Sequence, residues 1–247
     1  MILFVLNAYA KSTAVSWYCV RKKDHTQPTL PSELSFTKEY DVYWIDQNNS
    51  SYNDEEKVIY LTFDAGYENG NIEKILDTLC EEDVKASFFI LDNMILKNEA
   101  LVKRMIDEGH TVGNHTLKHK DMTKMASKEE VANELGALEA LYKDTYGLDM
   151  CKLYRPPEGK VSETSLNWAK ELGYKAVMWS FAYADWDNGK QPSCDYAMQK
   201  ILDNLHNGEI MLLHPTSATN AAIMKDLISE LKNRGYRFAT VEELCEN

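Results

Sequence analysis

The chain has 247 residues, enough for one large domain or two small ones, and its 27 Lys and Arg against 39 Asp and Glu give a formal net charge of −12. That acidity excludes a nucleic-acid backbone as the partner and argues against adsorption to an anionic membrane surface. A 44% hydrophobic and 11% aromatic content supports a packed core rather than disorder, and no run reaches the roughly 20 apolar residues of a membrane span.

Ile2 to Tyr9 is an apolar run ending in Ala8-Tyr9-Ala10, the small-x-small form of a signal-peptidase site, although no basic stretch precedes it. Residues 1–10 therefore read either as a signal-peptide remnant or as a short apolar strand or helix. Residues 11–56 are polar and irregular, with Pro28, Pro31 and aromatic patches around Trp17, Tyr40 and Trp44. They are expected to form an extended lead-in packed on a domain. The five cysteines (Cys19, Cys80, Cys151, Cys194 and Cys245) show no CxxC spacing, so they suggest neither a zinc cage nor a disulfide framework.

From Lys57 the texture changes to short apolar runs alternating with longer amphipathic segments. Val58–Phe63, Ala86–Ile90, Thr111–Asn114, Lys152–Arg155, Ala176–Trp179, Ile210–Leu213 and Arg237–Thr240 are predicted strands. Between them, Ile72, Ile75, Leu76 and Leu79 fall at helical spacing, as do Leu101, Met105 and Ile106. Ser127–Tyr146 opens with Ser127-Lys-Glu-Glu130, the form of a capping box. Further helices are predicted at Ser162–Leu172, Asp195–His206 and Asn220–Arg234. About seven β-α units imply a parallel sheet with crossover helices in one α/β domain, residues 57–247. The pattern alone leaves an open doubly wound sheet and a closed barrel as alternatives.

In either architecture the carboxyl ends of parallel strands share one rim. Asp64, His115, Arg155 and His214 each stand at such an end, so they are expected to converge. His115-Thr-Leu-Lys-His119 places two imidazoles four residues apart; if the chain turns into a helix there, both rings share a face and can hold one cation. Two solvated surface histidines are the plain alternative. Asp64, ending an apolar strand, suits a general base, or else the N-cap of the next helix. Arg155-Pro156-Pro157-Glu158-Gly159 is a rigid corner able to aim a guanidinium and a backbone N–H at the rim, or simply a turn. His214 ends an apolar strand as either a core-edge histidine or a general acid.

Taken together, Thr62-Phe63-Asp64, His115-x-x-x-His119, Arg155-Pro-Pro-x-Gly159, Asp185-Trp186 and Leu212-Leu-His214, in this order, resemble the motifs of the polysaccharide deacetylases with a NodB homology domain, carbohydrate esterase family 4. The resemblance spans about Lys57 to Leu244. Thr62-Phe-Asp64-Ala-Gly66-Tyr-Glu-Asn69, with the segment Trp179 to Trp186 and the lead-in Ser16-Trp17 through Pro28, is most similar to the spore-cortex N-acetylmuramic acid deacetylases of muramic δ-lactam formation. The implied fold is a distorted (β/α) barrel with about seven parallel strands.

The resemblance also implies roles. Asp64 would be the catalytic base, Arg155 its orienting partner, and the backbone N–H of Glu158 an oxyanion donor. His214 would be the acid for the leaving amine, with Asp185 setting its charge state. His115 and His119 would hold a divalent metal, commonly zinc. The motif places Trp186 at the site; Tyr67, Glu68 and Asn69 follow the base and are expected to line the sugar pocket, or else to be polar residues of a helix start. One departure stands out: Ala65 occupies the position of the family's usual aspartate ligand, which implies a weakly held metal.

The expected activity is hydrolytic removal of the N-acetyl group from N-acetylmuramic acid in a peptidoglycan glycan strand, by a monomer that is secreted or associated with the cell wall or spore envelope. The alternatives are deacetylation of N-acetylglucosamine or chitin-like oligomers, and a non-catalytic glycan-binding module that lost its metal through Ala65.

Overall fold

The structure, a computed structural model, describes residues 12–51 and 57–246; the apolar segment 1–10 lies outside the described residues. In chain order the elements are β1 (Val15–Ser16), β2 (Val42–Tyr43), β3 (Lys57–Ala65), α1 (Ile72–Glu81), β4 (Ser87–Ile90), α2 (Asp92–Lys97), α3 (Glu99–Asp107), β5 (Thr111–Asn114) and α4 (Lys128–Tyr146). They continue with β6 (Leu153–Tyr154), β7 (Lys160–Val161), α5 (Glu163–Glu171), β8 (Lys175–Val177), α6 (Cys194–Leu202), β9 (Glu209–Leu213), α7 (Ala218–Asn233), β10 (Tyr236–Ala239) and α8 (Val241–Glu246).

Eight strands form one sheet, with β3 at its centre. β10 pairs with Lys57–Tyr60 of β3, β4 with Thr62–Ala65, and β9 with Ile59–Phe63, all in parallel. Ile59 and Tyr60 pair with both β10 and β9, while Thr62 and Phe63 pair with both β4 and β9. Strands β10 and β4 therefore follow one another along one edge of β3, and β9 holds the other edge. Beyond β4 the sheet continues through β5, β6 and β8. The chain leaving β8 then makes a parallel bridge from Phe181 to Met211 of β9, which curls the sheet back on itself. The fold is the distorted (β/α) barrel, and the seven predicted strands are all present.

The eighth strand comes from the lead-in. β2 pairs in parallel with β8, and Ile45 bridges to Glu209, so the lead-in fills the gap between β8 and β9. β1 pairs antiparallel with β7. A strand of two residues is too short to show alternation in sequence, and its pairing is decided by the partner edge it meets.

The side-chain period of two explains how β3 serves two cores. Ile59, Leu61, Phe63 and Ala65 pack with Ile72, Ile75 and Leu227 on the helix side. Val58 and Tyr60 pack inward with Phe89, Leu153, Val177 and Ile210. Asp64 continues the register of Val58, Tyr60 and Thr62, which sets it on the inward face at the carboxyl end of the strand. The predicted apolar stripe of α1, Ile72, Ile75, Leu76 and Leu79, is fully buried, each side chain contributing roughly 1.5–3 kcal/mol.

Helix starts follow local hydrogen bonding. Ser127 caps α4 by accepting from the Glu130 N–H at 3.3 Å, but the Glu130 carboxylate accepts from Ala126 N–H, one residue short of the predicted reciprocal box. The reciprocal box occurs at α5 instead, between Ser162 and Ser165. The six-residue helices α2 and α8 have no counterpart among the predicted elements. All five cysteines are free thiols.

Candidate active site

Asp64 meets Arg155 at the bottom of a cavity of about 560 Å³ at the carboxyl rim of the barrel. Arg155 is fully buried, and its Nη1 donates to Asp64 Oδ1 at 2.8 Å. Its Nε donates to the Val177 carbonyl at 3.0 Å and its Nη2 to that of Met178 at 3.4 Å, while the Phe89 ring lies 4.2 Å from Cζ. The guanidinium is thus held by the end of β8 and aimed at the end of β3. Burial alone would raise the Asp64 carboxyl, but His115, Arg155 and His214 draw it below its ordinary value, so it is a carboxylate at neutral pH.

His115 follows β5 and is buried. Its Nδ1 lies 2.9 Å from the carbonyl oxygen of Arg155, which can only accept, so Nδ1 carries the hydrogen. Nε2 is left with its lone pair, 3.5 Å from Asp64 Oδ2. Burial pushes the His115 ring down to about 4, keeping it neutral and able to ligate.

The His119 ring stands edge-on to His115 with centroids 4.9 Å apart. The two rings meet although the chain does not turn into a helix at residues 115–119. The segment is an open bend, turned by left-handed backbone at Thr116 (φ 72°) and His119 (φ 55°). Asn114 supports the bend by accepting from Thr116 N–H at 2.8 Å and donating to Leu135 carbonyl at 2.9 Å. Left-handed backbone at a β-branched residue costs of order 1–3 kcal/mol, a cost typical of functional loops.

His214 follows β9. Its Nδ1 lies 2.7 Å from Asp185 Oδ1, and its backbone N–H donates to Asp185 Oδ2 at 2.8 Å. Asn220 of α7 donates to the same Oδ2 at 2.7 Å and to the His214 carbonyl at 3.0 Å. Tyr183 in turn donates its hydroxyl to Asn220 Oδ1. Burial would lower the His214 ring, but the bond to Asp185 and the charges of Asp185 and Asp64 raise it above its ordinary value. The cavity therefore carries a carboxylate and a readily protonated imidazole, a base and an acid in one space.

Glu158 lines the cavity with left-handed backbone (φ 56°), and its carboxylate is spent on Lys160 at 2.6 Å. The following Gly159 is also left-handed, and a Cβ there would sit 2.6 Å from the Trp179 ring. The corner of two prolines and a glycine is therefore shaped by close approach to Trp179.

Trp186 is 61% exposed, with its ring centroid 6.2 Å from that of His214, and Tyr67 is 46% exposed; both line the cavity. Glu68 and Asn69 do not. Glu68 Oε2 accepts from Ile72 N–H at 3.0 Å at the start of α1, and Asn69 donates to the Thr216 carbonyl at 2.8 Å. Glu68 is thus engaged at the start of α1 and Asn69 at the loop after β9. Sequence reasoning missed Asn220 and Tyr183, which no motif or spacing marks, and Trp179, which reads as core.

Among the described residues no three His, Cys, Asp or Glu side chains form a ready metal cage. The donors nevertheless fit a zinc-type ion: the His115 lone pair and Asp64 Oδ2 are 3.5 Å apart, against about 3.3 Å between two ligands of one tetrahedral zinc. Ala65 is fully buried in the helix-side core, so His115, His119 and Asp64 are the donors at hand.

A barrel rim carrying a carboxylate, paired imidazoles and an aspartate-backed histidine defines a hydrolytic site for an amide or ester. The sequence profile of the polysaccharide deacetylases matches residues 51–177, and the chain belongs to that family of metal-dependent hydrolases.

It is 38% identical, over 93% of its length and 85% of the relative's, to the peptidoglycan-N-acetylmuramic acid deacetylase PdaA of Bacillus subtilis. The structure of B. subtilis PdaA, a family 4 carbohydrate esterase, superposes with a TM-score of 0.86 at 36% identity, covering 94% of this chain and 96% of that one. A peptidoglycan-N-acetylglucosamine deacetylase of Bacillus cereus is 34% identical over 82% of this chain and 92% of its own.

Proposed function

We propose that this protein removes the N-acetyl group from N-acetylmuramic acid in peptidoglycan glycan. The observation that carries the reading is the single cavity faced by Asp64, His115, His119 and the Asp185-backed His214, in a chain 38% identical to an N-acetylmuramic acid deacetylase.

In this reading Asp64, held by Arg155, takes the proton of the attacking water. The backbone N–H of Glu158 faces the developing oxyanion. His214, its ring pKa raised by Asp185, delivers a proton to the nitrogen as the C–N bond breaks, because an unprotonated amine leaves poorly. A divalent metal at His115 and His119, most simply zinc, would polarise the water and the acetyl oxygen. Tyr67 and Trp186 give the sugar an aromatic wall.

The freed amine lies beside the sugar's own lactyl carboxyl, so closure to the δ-lactam is intramolecular and entropically cheap. Residues 57–247 form the deacetylase domain, with residues 11–56 as its lead-in, and the protein works as a monomer at the cell wall or spore envelope, reached by secretion.

The test is acetate release from peptide-free peptidoglycan glycan and from N-acetylglucosamine oligomers, with and without added zinc. Loss of one acetyl mass at muramic sugars supports the proposal. Loss only at glucosamine sugars favours the second reading, which the B. cereus relative motivates.

A further inference from the structure

A second cavity of about 300 Å³ opens beside the first and shares Trp179, Ala182, Tyr183 and Trp186 with it. Its remaining wall includes Trp17, Tyr18 and Arg21 of the lead-in. Trp17 is fastened there by its indole N–H, which donates to the Trp179 carbonyl at 2.8 Å. Arg21 donates from Nη2 to the Ala182 carbonyl, and its Cζ lies 4.8 Å from the Phe181 ring. The guanidinium is thereby held against the segment that divides the two cavities.

The charges around Arg21 leave it suited to an anion. No acidic side chain lines the second cavity among the described residues, whereas Asp64 and Glu158 line the first. The carboxylate of Glu33 is engaged by the Tyr18 hydroxyl at 2.5 Å. The acid whose field Arg21 feels is Glu209, fully buried on β9; burial raises its carboxyl well above the ordinary range, which weakens the charge it sets against Arg21. Lys22, Lys23 and Asp24 follow Arg21 and are exposed, so the stretch remains locally positive in a chain of net charge −12. With one N–H spent on Ala182, the guanidinium retains donors for a carboxylate. Such a local cation is what an acidic protein needs to hold an anionic glycan that its overall field repels.

We propose that Arg21 is a specificity-determining residue, and that the second cavity receives the ether-linked lactyl carboxylate of a muramic residue while an acetamide occupies the first. The inference rests on the N-acetylmuramic reading above. The carboxylate comes either from the acetylated sugar itself or from the next muramic residue along the strand.

The test compares the wild type with Arg21→Gln and Arg21→Lys, reading KM and kcat for acetate release. The substrates are peptide-free peptidoglycan glycan, the same glycan with its carboxyls converted to carboxamides, and an N-acetylglucosamine tetramer. Arg21→Gln is expected to raise KM on the native glycan about ten- to a hundredfold with little change in kcat, and Arg21→Lys to recover part of it. On the carboxamide glycan the wild type is expected to show the raised KM already, with no further rise in Arg21→Gln.

Equal loss on both glycans would mean that Arg21 merely anchors Ala182, and that result, or no loss at all, overturns the proposal. An effect kept on a disaccharide with one muramic residue assigns the carboxylate to the acetylated sugar. An effect confined to longer strands assigns it to the neighbour. If the wild type deacetylates only the tetramer, the N-acetylmuramic reading fails. Calorimetric binding of native against carboxamide glycan by the Asp64→Asn protein then decides separately: an Arg21-dependent preference for the native glycan upholds the carboxylate site, and equal binding removes it.

Discussion

Arg155 and His115 are joined through the Arg155 carbonyl, which accepts the Nδ1 hydrogen of His115, while the Arg155 guanidinium grips Asp64. One buried residue therefore fixes both the tautomer of the imidazole and the direction of the carboxylate. Carboxylate and imidazole are positioned as a unit, which is why Asp64 Oδ2 and His115 Nε2 face each other at 3.5 Å.

Asp64→Asn is expected to lower acetate release by about 10²- to 10⁴-fold, the usual worth of a general base. The amide oxygen still accepts from Arg155, whose bonds to the Val177 and Met178 carbonyls are untouched, so the thermal midpoint should move by only a few degrees. Initial rates and calorimetry on the same preparation check both halves, and a retained rate would remove Asp64 from the role of base.

Asp185→Asn is expected to move the alkaline limb of the pH–rate profile to lower pH. With His214 as the proposed acid, acting in its protonated form, activity falls as pH rises through its pKa, which Asp185 holds above the ordinary value. Stability carries the same sign: the contribution of the His214–Asp185 pair is full below the unfolded value near 6.5 and is lost as pH rises through the raised folded value. A profile of kcat against pH that is unmoved in the variant would count against His214 as the acid.

Acid should loosen the fold well before the carboxylates titrate. Burial pushes His110 and His206 down to about 4, so between pH 6.5 and 4 the unfolded chain binds the protons these rings refuse, and stability falls as pH falls. Glu209, whose carboxyl is raised, opposes this in the same window with one proton. His206→Asn is expected to flatten the slope by up to about 1.4 kcal/mol per pH unit, measured from urea midpoints across that range.

With Ala65 in the helix-side core, metal at His115 and His119 is expected to be readily stripped. Dialysis against a mild chelator should abolish acetate release and added zinc should restore it, with metal content followed by elemental analysis. His119→Ala should raise the zinc concentration needed for that recovery. Stoichiometric metal surviving dialysis would show a tighter site than two imidazoles and a shared carboxylate supply.

Gly159→Ala is expected to destabilise the protein by about 1–3 kcal/mol, because the residue has φ 62° and the added Cβ would meet Trp179 at 2.6 Å. As Trp179 walls both cavities, KM should rise as well. A crystal structure of the variant would show the ring displaced.

The sequence alone determined the alternation of strands and helices, because β3 is a near-continuous apolar run and α1 and α4 carry periodic apolar patterns long enough to be read locally. It also placed Asp64, His115, Arg155 and His214 at strand ends, since the rim of a parallel sheet gathers such positions whatever the strand order. Barrel closure was decided only in three dimensions, by a bridge from Phe181 to Met211 and by the two-residue strand β2, neither of which leaves a periodic trace. The same holds within the site. The meeting of His115 with His119 depends on left-handed backbone at a threonine, Asn220 reaches Asp185 across 35 residues, and Glu68 turns to cap α1. Local pattern reports which face of an element is apolar; which distant side chains complete a polar cluster depends on packing that brings separate elements together, and that information resides in the tertiary structure.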